Sequence, residues 1–250
     1  MKDSTQRFTD RVEDYIKYRP SYPQEVIQAL VQEAGLSTGK VIADIGSGTG
    51  ILTRQLLETN CKVHAIEPNA AMRAAAEEML GNHPGFISIN ATAENTSLPD
   101  RSLDGITAGQ AFHWFDRLAT KVEFRRVLRP GGFIALVWNS WQTDSSDFMK
   151  DYTKLLVEWG TDYQRVSRTN VDDAAIRQFF HPQTFQKFTF PHFQTFDYDG
   201  LRGRLFSSSY TPQEGHSNYE PLILGLHQLF DRHQHNNAIR FEYITTLYLG

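Results

Sequence analysis

Five short apolar runs alternate with stretches of helical spacing over the first 140 residues. The runs lie at residues 41–45, 62–66, 86–90, 103–108 and 133–138, and each has the length of a buried strand. Between them, except in the loop between the third and fourth runs, apolar residues recur every three or four positions. This predicts helices from Ile51, from a cap at Asn69 to a stop at Gly81, and up to a stop at residues 129–132. The alternation predicts a parallel sheet with helices on both faces.

After residue 138 the pattern changes. Residues 141–181 carry helical spacing rich in aromatic side chains, interrupted by a polar stretch at 161–173. The remaining pattern predicts a strand at 184–196, helices at 201–209 and 219–233, and a terminal strand at 241–249. The predicted fold class is therefore α/β, a doubly wound, mostly parallel sheet with seven strands in all.

The first predicted strand runs into a loop with glycine at every second position. Asp44 is followed by Gly46, Gly48 and Gly50, and helical spacing starts at Ile51. Glycine lets the bare backbone approach a ligand at the carboxyl end of a strand. The spacing is not the G-x-G-x-x-G of dinucleotide-binding turns, and no lysine follows Gly50 as a phosphate-binding loop of the Walker type would require.

Polar and small residues also follow the second, third and fourth predicted strands, just as the glycine loop follows the first. Glu67 closes the second strand, 21 residues after Gly46, and an acid at about this distance commonly binds ribose hydroxyls in doubly wound nucleotide folds. Residues 93–94 follow the third strand, and residues 110–114 follow the fourth. Because right-handed crossovers place these ends on one edge of the sheet, we expect the four segments to form one cleft.

The loop resembles motif I of class I S-adenosylmethionine-dependent methyltransferases. The runs Thr-Ala-Glu at 92–94, Leu-Pro-Asp at 98–100 and Gln-Ala-Phe-His-Trp-Phe-Asp at 110–116 are similar to a small-molecule branch that includes trans-aconitate methyltransferase-like proteins. The resemblance covers about residues 5 to 140 and implies the Rossmann-like methyltransferase fold, with an antiparallel last strand, an N-terminal lid and a helical cap insertion. It implies a single domain over 1–250, with lid helices in 1–35, a cofactor-binding core in 36–140 and cap segments in 141–183 and 200–238.

The resemblance also implies the cofactor and its contacts. The cofactor is S-adenosylmethionine, with the glycines along its methionine part, Glu67 on its ribose and Gln110 near its sulfonium. Thr92 departs from the pattern, because many relatives carry an acid there. The full set of implied cofactor-binding residues is Arg19, Asp44, Gly46, Ser47, Gly48, Gly50, Glu67, Pro68, Met72, Ala93, Glu94 and Gln110.

The acceptor side is predicted from the amino-terminal segment and from the end of the fourth strand. Residues 15–23, with Phe8 before them, resemble the Tyr-x-x-Tyr-Arg-Pro-x-Tyr-Pro segment that forms a lid in relatives. We expect Tyr18, Arg19 and Trp114 to contact the substrate, because a guanidinium pairs with carboxylates and aromatic walls exclude water. Arg19 has a second interpretation as a ligand of the methionine carboxylate. His113 is the candidate catalytic residue, as a base or as a donor, and the alternative is a structural histidine beneath Trp114.

Charge, cysteine content and the spacing of apolar and histidine residues restrict the partners and ligands that we expect. The chain has 250 residues with 25 basic and 29 acidic side chains and no basic stripe, so we expect no nucleic-acid partner. The single cysteine, Cys61, excludes an internal disulfide and fits a reducing, cytoplasmic location. No apolar run is long enough to span a bilayer, so no membrane association is expected. His227, His233 and His235 lack metal-binding spacing, so no metal is expected. The protein is predicted to be a monomer or a homodimer.

Three functions are consistent with these residues. The first is a methyltransferase acting on a small-molecule acceptor, such as a carboxylate or another oxygen or carbon nucleophile. The second is a nicotinamide-dependent oxidoreductase, which the glycine spacing opposes. The third is a non-catalytic S-adenosylmethionine-binding protein.

Overall fold

In the described part of the chain, seven strands form one sheet. The computed structural model describes residues 12–161, 163 and 173–250. The strands β1 to β7 are Val41–Ile45, Lys62–Ile66, Phe86–Ile89, Leu103–Gly109, Leu128–Trp141, Gln186–Phe196 and Ile239–Leu249. Their order across the sheet is β3-β2-β1-β4-β5-β7-β6, with β1 to β5 parallel and β7 antiparallel to both β5 and β6. This confirms the predicted fold class and the antiparallel last strand.

Two helices before residue 35 lie in the lid segment that the resemblance implies. Most of the later helices fall where the periodicity predicts them, but the helix predicted at 201–209 spans 198–206. Helices α1 to α9 are Val12–Tyr18, Gln24–Ala34, Ile51–Leu57, Ala70–Leu80, Arg117–Val127, Asp147–Trp159, Asp173–Phe180, Tyr198–Phe206 and Tyr219–His233, and a 3-10 turn covers Phe112–Trp114. Asn69 caps α4, because its side chain accepts a hydrogen bond from the Met72 amide, 2.9 Å away. Phe8 and most of the polar stretch at 161–173 lie outside the described residues.

Strand β5 differs from its predicted extent. The Arg-Pro-Gly-Gly sequence at 129–132 was predicted to stand between the helix and the strand, but β5 begins before it, at Leu128. The pairing with β4 jumps from Leu103–Leu128 to Gly105–Phe133, so residues 129–132 form a bulge inside the strand. Gly131, at φ 80°, supplies the left-handed backbone that the bulge requires. The strand therefore includes four residues whose sequence predicts a turn.

Apolar side chains pack against both faces of the sheet. On one face, Ile42 of β1 lies in a cluster with Leu30 of α2 and Leu56 of α3. On the other face, Ile45 of β1 lies in a cluster with Phe124 of α5. Neighbouring residues of one strand thus serve opposite layers, as a sheet with helices on both sides requires.

A third apolar cluster holds the predicted cap segments to the sheet. It joins α6, α8 and α9 to the start of β7, through residues that include Tyr152, Leu201, Leu226 and Phe241. Helix α1 packs against α8, although none of its residues is buried. The cap therefore shares its core with the last strand. No helix among the described residues is long and apolar enough to cross a membrane.

Candidate active site

The glycine loop is tied to the neighbouring strand. The amides of Gly46 and Ser47 both donate to the Ile66 carbonyl oxygen at the end of β2, at 2.8 and 3.1 Å. Gly46 and Gly50 have φ values of 65° and 85°, and both are tightly enclosed. A Cβ at Gly46 would lie 2.6 Å from the Ala111 Cβ, and one at Gly50 would lie 2.7 Å from the Leu80 Cδ1. Only glycine fits these two positions without movement of the neighbours.

Asp44 supports the loop from below. Its side chain is 1% exposed, and it accepts hydrogen bonds from the hydroxyls of Thr53 at 2.6 Å and Thr107 at 2.8 Å. The carboxylate thereby links β1 to α3 and β4. Burial raises the pKa of Asp44 to about 6, and the two hydroxyl donors limit the rise. Asp44 lines neither of the two cavities described below, and its part in cofactor binding stays a prediction.

Glu67 bridges the loop and the next helix. Its Oε2 accepts a hydrogen bond from the Gly48 amide at 2.9 Å, and its Oε1 accepts one from the Asn69 amide at 2.8 Å. Burial raises the pKa of Glu67, while these two amides and Arg73 act in the opposite direction. A carboxylate oxygen accepts two hydrogen bonds, so each oxygen keeps a lone pair for a ligand hydroxyl.

A cavity of about 240 Å³ opens at the carboxyl edge of the sheet, above these groups. It brings together eight of the predicted cofactor-binding residues, namely Gly46, Gly48, Glu67, Pro68, Met72, Ala93, Glu94 and Gln110. We name it the cofactor cavity. Its other lining residues are Tyr15, Asn69, Ala91, Thr92, Gly109, Ala111, Trp114 and Phe115. The predicted convergence of four strand ends on one cleft is therefore present in the structure.

Gln110 is fixed where β4 ends. Its backbone has φ 55°, and its backbone amide donates to the Val137 carbonyl oxygen of β5 at 2.9 Å. Its side chain pairs twice with the backbone of Asn139: Nε2 donates to the carbonyl oxygen at 3.0 Å, and Oε1 accepts from the amide at 3.2 Å. These three hydrogen bonds hold both the backbone and the side chain of Gln110 in place.

A second cavity, of about 470 Å³, meets the cofactor cavity at Tyr15, Gln110 and Trp114. We name it the acceptor chamber. His113 and Trp114 lie on its wall, with ring centroids 4.6 Å apart. The other lining residues are Arg19, Pro20, Tyr22, Ile51, Trp138, Asn139, Ser140, Trp141, Thr143, Tyr163, Arg204, Ser209, Tyr210 and Tyr243. The chamber is thus aromatic, with a few polar and cationic groups, which is typical of a small-molecule site.

Two arginines reach the acceptor chamber. Arg19 Nη2 donates to the Ser207 carbonyl oxygen at 2.8 Å, and its guanidinium stacks 5.0 Å from the Tyr15 ring centroid. Arg204 is 5% exposed, and its Nε donates to the Tyr243 hydroxyl at 2.9 Å. Within the described ranges, no carboxylate lies within 4.0 Å of either guanidinium.

Several predicted site residues lie elsewhere. The Tyr18 ring packs against Gly203 of α8 and lines neither cavity, so its position gives no support to a substrate contact. Ser47 and Gly50 belong to the loop but do not face the cofactor cavity. Arg19 lines the acceptor chamber instead of the cofactor cavity.

Sequence reasoning missed one side of the acceptor chamber. Arg204, Tyr210 and Tyr243 line it, yet Arg204 stands in a helical pattern that gives no sign of a pocket. Phe115, in the cofactor cavity, lies inside a segment that the resemblance had already singled out, so that signal was available. Within the described residues, no group of three or more His, Cys, Asp or Glu side chains is arranged to hold a metal.

The strand order, the antiparallel seventh strand and the glycine loop beside a strand-end acid define the class I methyltransferase fold. Residues 43–136 match the family described as a methyltransferase domain. These residues are therefore similar to a methyltransferase domain, and the fold of the chain is that of class I S-adenosylmethionine-dependent methyltransferases. The narrower resemblance to trans-aconitate methyltransferase-like proteins stays a prediction.

Curated relatives fall in the same class. An uncharacterized methyltransferase of Mycobacterium tuberculosis is 37% identical over 139 residues, which are 56% of this chain and 54% of that protein. An uncharacterized methyltransferase of Schizosaccharomyces pombe is 30% identical over 133 residues, 53% of this chain and 52% of that protein. The chain spans about half the length of the curated relatives it matches.

Solved structures share the fold. A protein of Anaeromyxobacter dehalogenans, provisionally assigned as a type II methyltransferase, superposes with a TM-score of 0.64 at 23% identity, over 93% of this chain and 97% of that one. Haemonchus contortus phosphoethanolamine N-methyltransferase 2, in complex with phosphomonomethylethanolamine and S-adenosylhomocysteine, superposes with a TM-score of 0.58 at 15% identity, over 99% of this chain and 58% of that one. At these identities the likeness concerns the fold.

Proposed function

We propose that this chain binds S-adenosylmethionine in the cofactor cavity and methylates a small molecule held in the acceptor chamber. The acceptor is a carboxylate or another oxygen or carbon nucleophile. One observation carries the proposal: the two cavities meet at Tyr15, Gln110 and Trp114, with the glycine loop and Glu67 in the cofactor cavity. A donor in the first cavity and an acceptor in the second would meet at that junction.

The residues present fit the proposed cofactor. Gly48 faces open space where a side chain would intrude, and Glu67 keeps lone pairs for ribose hydroxyls. Met72, Ala93 and Phe115 provide apolar walls suited to an adenine ring. S-adenosylmethionine supplies an already activated methyl group on a sulfonium. The chain then has to hold two reactants in line and exclude water, and well-held reactants gain roughly 7–11 kcal/mol over free ones.

The acceptor chamber provides the remaining groups. Its wall carries several aromatic rings, and Gln110 keeps a fixed position at the junction. A carboxylate acceptor is already ionised and needs no base. For an acceptor that starts protonated, His113 lies on the chamber wall as the group to remove the proton.

A binding panel tests the cofactor. Calorimetry with S-adenosylmethionine, S-adenosylhomocysteine, NAD and NADP should show micromolar binding of the first two, about −8 kcal/mol, and no binding of the nicotinamides. Binding of NAD without S-adenosylhomocysteine would overturn the proposal and favour an oxidoreductase. If S-adenosylhomocysteine binds but no metabolite in a broad library yields it from S-adenosylmethionine, the non-catalytic alternative replaces methyl transfer.

Two glycines make a matched pair for this test. Gly48 and Gly131 have φ values of 57° and 80°, and a Cβ at either would meet nothing within 4 Å. Gly48→Ala and Gly131→Ala therefore impose similar backbone strain, but only the first adds a methyl to the wall of the cofactor cavity. We expect only Gly48→Ala to weaken S-adenosylhomocysteine binding. Equal effects of the two substitutions on binding would place the cofactor elsewhere.

A further inference from the structure

Arg204 is a buried cation whose charge has no counterion in the described part of the chain. Its Nε donates to the Tyr243 hydroxyl, and its Nη1 donates to the Ser208 hydroxyl at 3.0 Å. Its Nη2 has no hydrogen-bond partner among the described residues. The partners it does have are neutral hydroxyls, and the guanidinium lies 5.3 Å from the Phe241 ring centroid. Burial of an unpaired charge is costly, so a site of this kind is incomplete without an anion.

Arg19 adds a second charge to the same place. Its Nε is buried and has no hydrogen-bond partner within the described residues, and its single hydrogen bond there goes to the Ser207 carbonyl oxygen. Burial and the nearby Arg204 cation both lower the pKa of Arg19. The hydroxyl of Tyr152, also buried behind this wall, lacks a partner in the same part of the structure. Two guanidiniums with unused donors and mutual repulsion make a pocket that is complementary to a negative charge.

Arg204 is not one of the residues at the junction where methyl transfer is proposed. Arg204 lines the acceptor chamber but not the cofactor cavity, and it is not among the three residues at which the two cavities meet. Arg19 stacks on Tyr15, which does belong to that junction. An anion held by Arg204 therefore lies away from the junction where methyl transfer would occur.

We infer that Arg204, assisted by Arg19, anchors a carboxylate of the methyl acceptor. This inference rests on the proposed function. The acceptor is then a small molecule with a carboxylate at one end and its methyl-accepting atom at the other. A planar carboxylate suits a guanidinium held between aromatic rings, because it accepts two parallel N–H donors. The same chemistry is present in the methionine carboxylate of the cofactor, so the experiment has to distinguish the two sources.

Calorimetry and thermal shift on the S-adenosylhomocysteine complex provide the test. The probes are benzoate, phenylacetate, succinate and citrate, with benzamide and phenylacetamide as neutral counterparts and inorganic phosphate as a different anion. We expect at least one carboxylate to raise the melting temperature while its amide does not. Arg204→Met should weaken binding of that carboxylate about tenfold to hundredfold, as loss of a charged hydrogen-bond donor does, and leave S-adenosylhomocysteine binding unchanged.

The control is Arg202→Met, on the same helix but exposed to solvent, which should change neither affinity. Arg204→Lys keeps the charge and loses the planar fork. It covers the case in which Arg204→Met fails to fold, and it should also weaken carboxylate binding. If Arg204→Lys weakens S-adenosylhomocysteine binding instead, the site belongs to the cofactor and the inference is overturned.

Other outcomes would overturn either this inference or the proposed function. If no carboxylate stabilises the complex more than its amide, or if phosphate binds better than every carboxylate, the inference fails while the cofactor proposal stands. If the wild-type chain does not bind S-adenosylhomocysteine at all, the proposed function itself fails.

Discussion

Asp44 shows how one buried carboxylate couples the site to stability. Its pKa of about 6 lies above the ordinary value of 3.8, chiefly because of burial. The folded state therefore binds the proton more tightly than the unfolded state. The stability from this group is complete below about pH 4 and is lost as the pH rises to about 6, in total about 3 kcal/mol.

Asp44→Asn should remove that dependence. Asparagine can accept from one threonine hydroxyl and donate to the other, so the links to Thr53 and Thr107 are kept. We expect the free energy of unfolding of the variant to change less than that of the wild type between pH 4 and 6, measured by urea denaturation. Asp144→Asn, at an exposed position, is the control. Parallel curves for Asp44→Asn and wild type would show that the carboxylate is ionised throughout.

Glu67 has a structural part that its sequence position does not reveal, in addition to its proposed part in cofactor binding. An acid at the end of a strand is expected to contribute little to folding, but this one is buried and accepts two backbone amides. Glu67→Ala should weaken S-adenosylhomocysteine binding by about 1.5–3 kcal/mol and also lower the free energy of unfolding by about 1–3 kcal/mol. Calorimetry and urea denaturation measure the two separately. Glu77→Ala, an exposed acid on α4, should do neither, and an unchanged dissociation constant for Glu67→Ala would remove Glu67 from the cofactor site.

His113 is tested through its kinetic signature. It lies on the wall of the acceptor chamber and outside the set of residues that line the cofactor cavity. If it removes a proton from the acceptor, His113→Asn should lower kcat about 10²–10⁴-fold with cofactor affinity retained. His227→Asn, at an exposed histidine of α9, should leave kcat unchanged. A higher KM with an unchanged kcat would assign His113 to positioning the substrate.

At the scale of elements, the contact between α1 and α8 controls one wall of the chamber. Gly203 of α8 lies directly against the Tyr18 ring, and a Cβ there would overlap that ring. Arg19 follows Tyr18, so a displaced α1 also displaces the guanidinium that faces the chamber. The lid and the cap therefore form one wall through the Gly203–Tyr18 contact and the Arg19–Ser207 hydrogen bond.

Gly203→Ala should loosen this wall without unfolding the protein. Alanine favours a helix by about 1 kcal/mol over glycine, and α1 contributes no buried residue. We expect a similar or slightly higher melting temperature, faster proteolysis within α1, and a higher KM for the acceptor. Tyr18→Ala in the same background removes the overlap, so the double variant should resemble Tyr18→Ala alone. A normal KM for Gly203→Ala would show that the docking of α1 does not shape the chamber.

At the scale of the whole molecule, the acceptor chamber is assembled from distant parts of the chain. Arg19 bonds to Ser207, 188 residues away, and the Asn139 side chain bonds to the carbonyl oxygen of Ser21, 118 residues away. The cofactor cavity is more local, because most of its residues follow β1 to β4. Under the proposed function, the donor would lie in the local cavity, and the amino-terminal helix and the cap would contribute most of the wall around the acceptor.

The sequence by itself determined the sheet, most of its helices and the segments that line the cofactor cavity. Alternating apolar runs predict buried strands wherever they occur, and loop glycines and strand-end acids are set by local backbone chemistry. Gly48, Glu67 and Gln110 could therefore be placed at one sheet edge before any coordinates.

Only the tertiary structure decided what lines the acceptor chamber. Arg204 and Tyr243 stand in patterns that serve a core as well as a pocket, and Tyr18 turns away from the chamber to pack on Gly203. Even β5 begins before Arg-Pro-Gly-Gly, because Leu128 already pairs with Leu103 of β4, and residues 129–132 form a bulge between this pair and the next. Periodicity specifies which face of an element is apolar, but the neighbour that the face meets depends on packing between residues far apart in the chain.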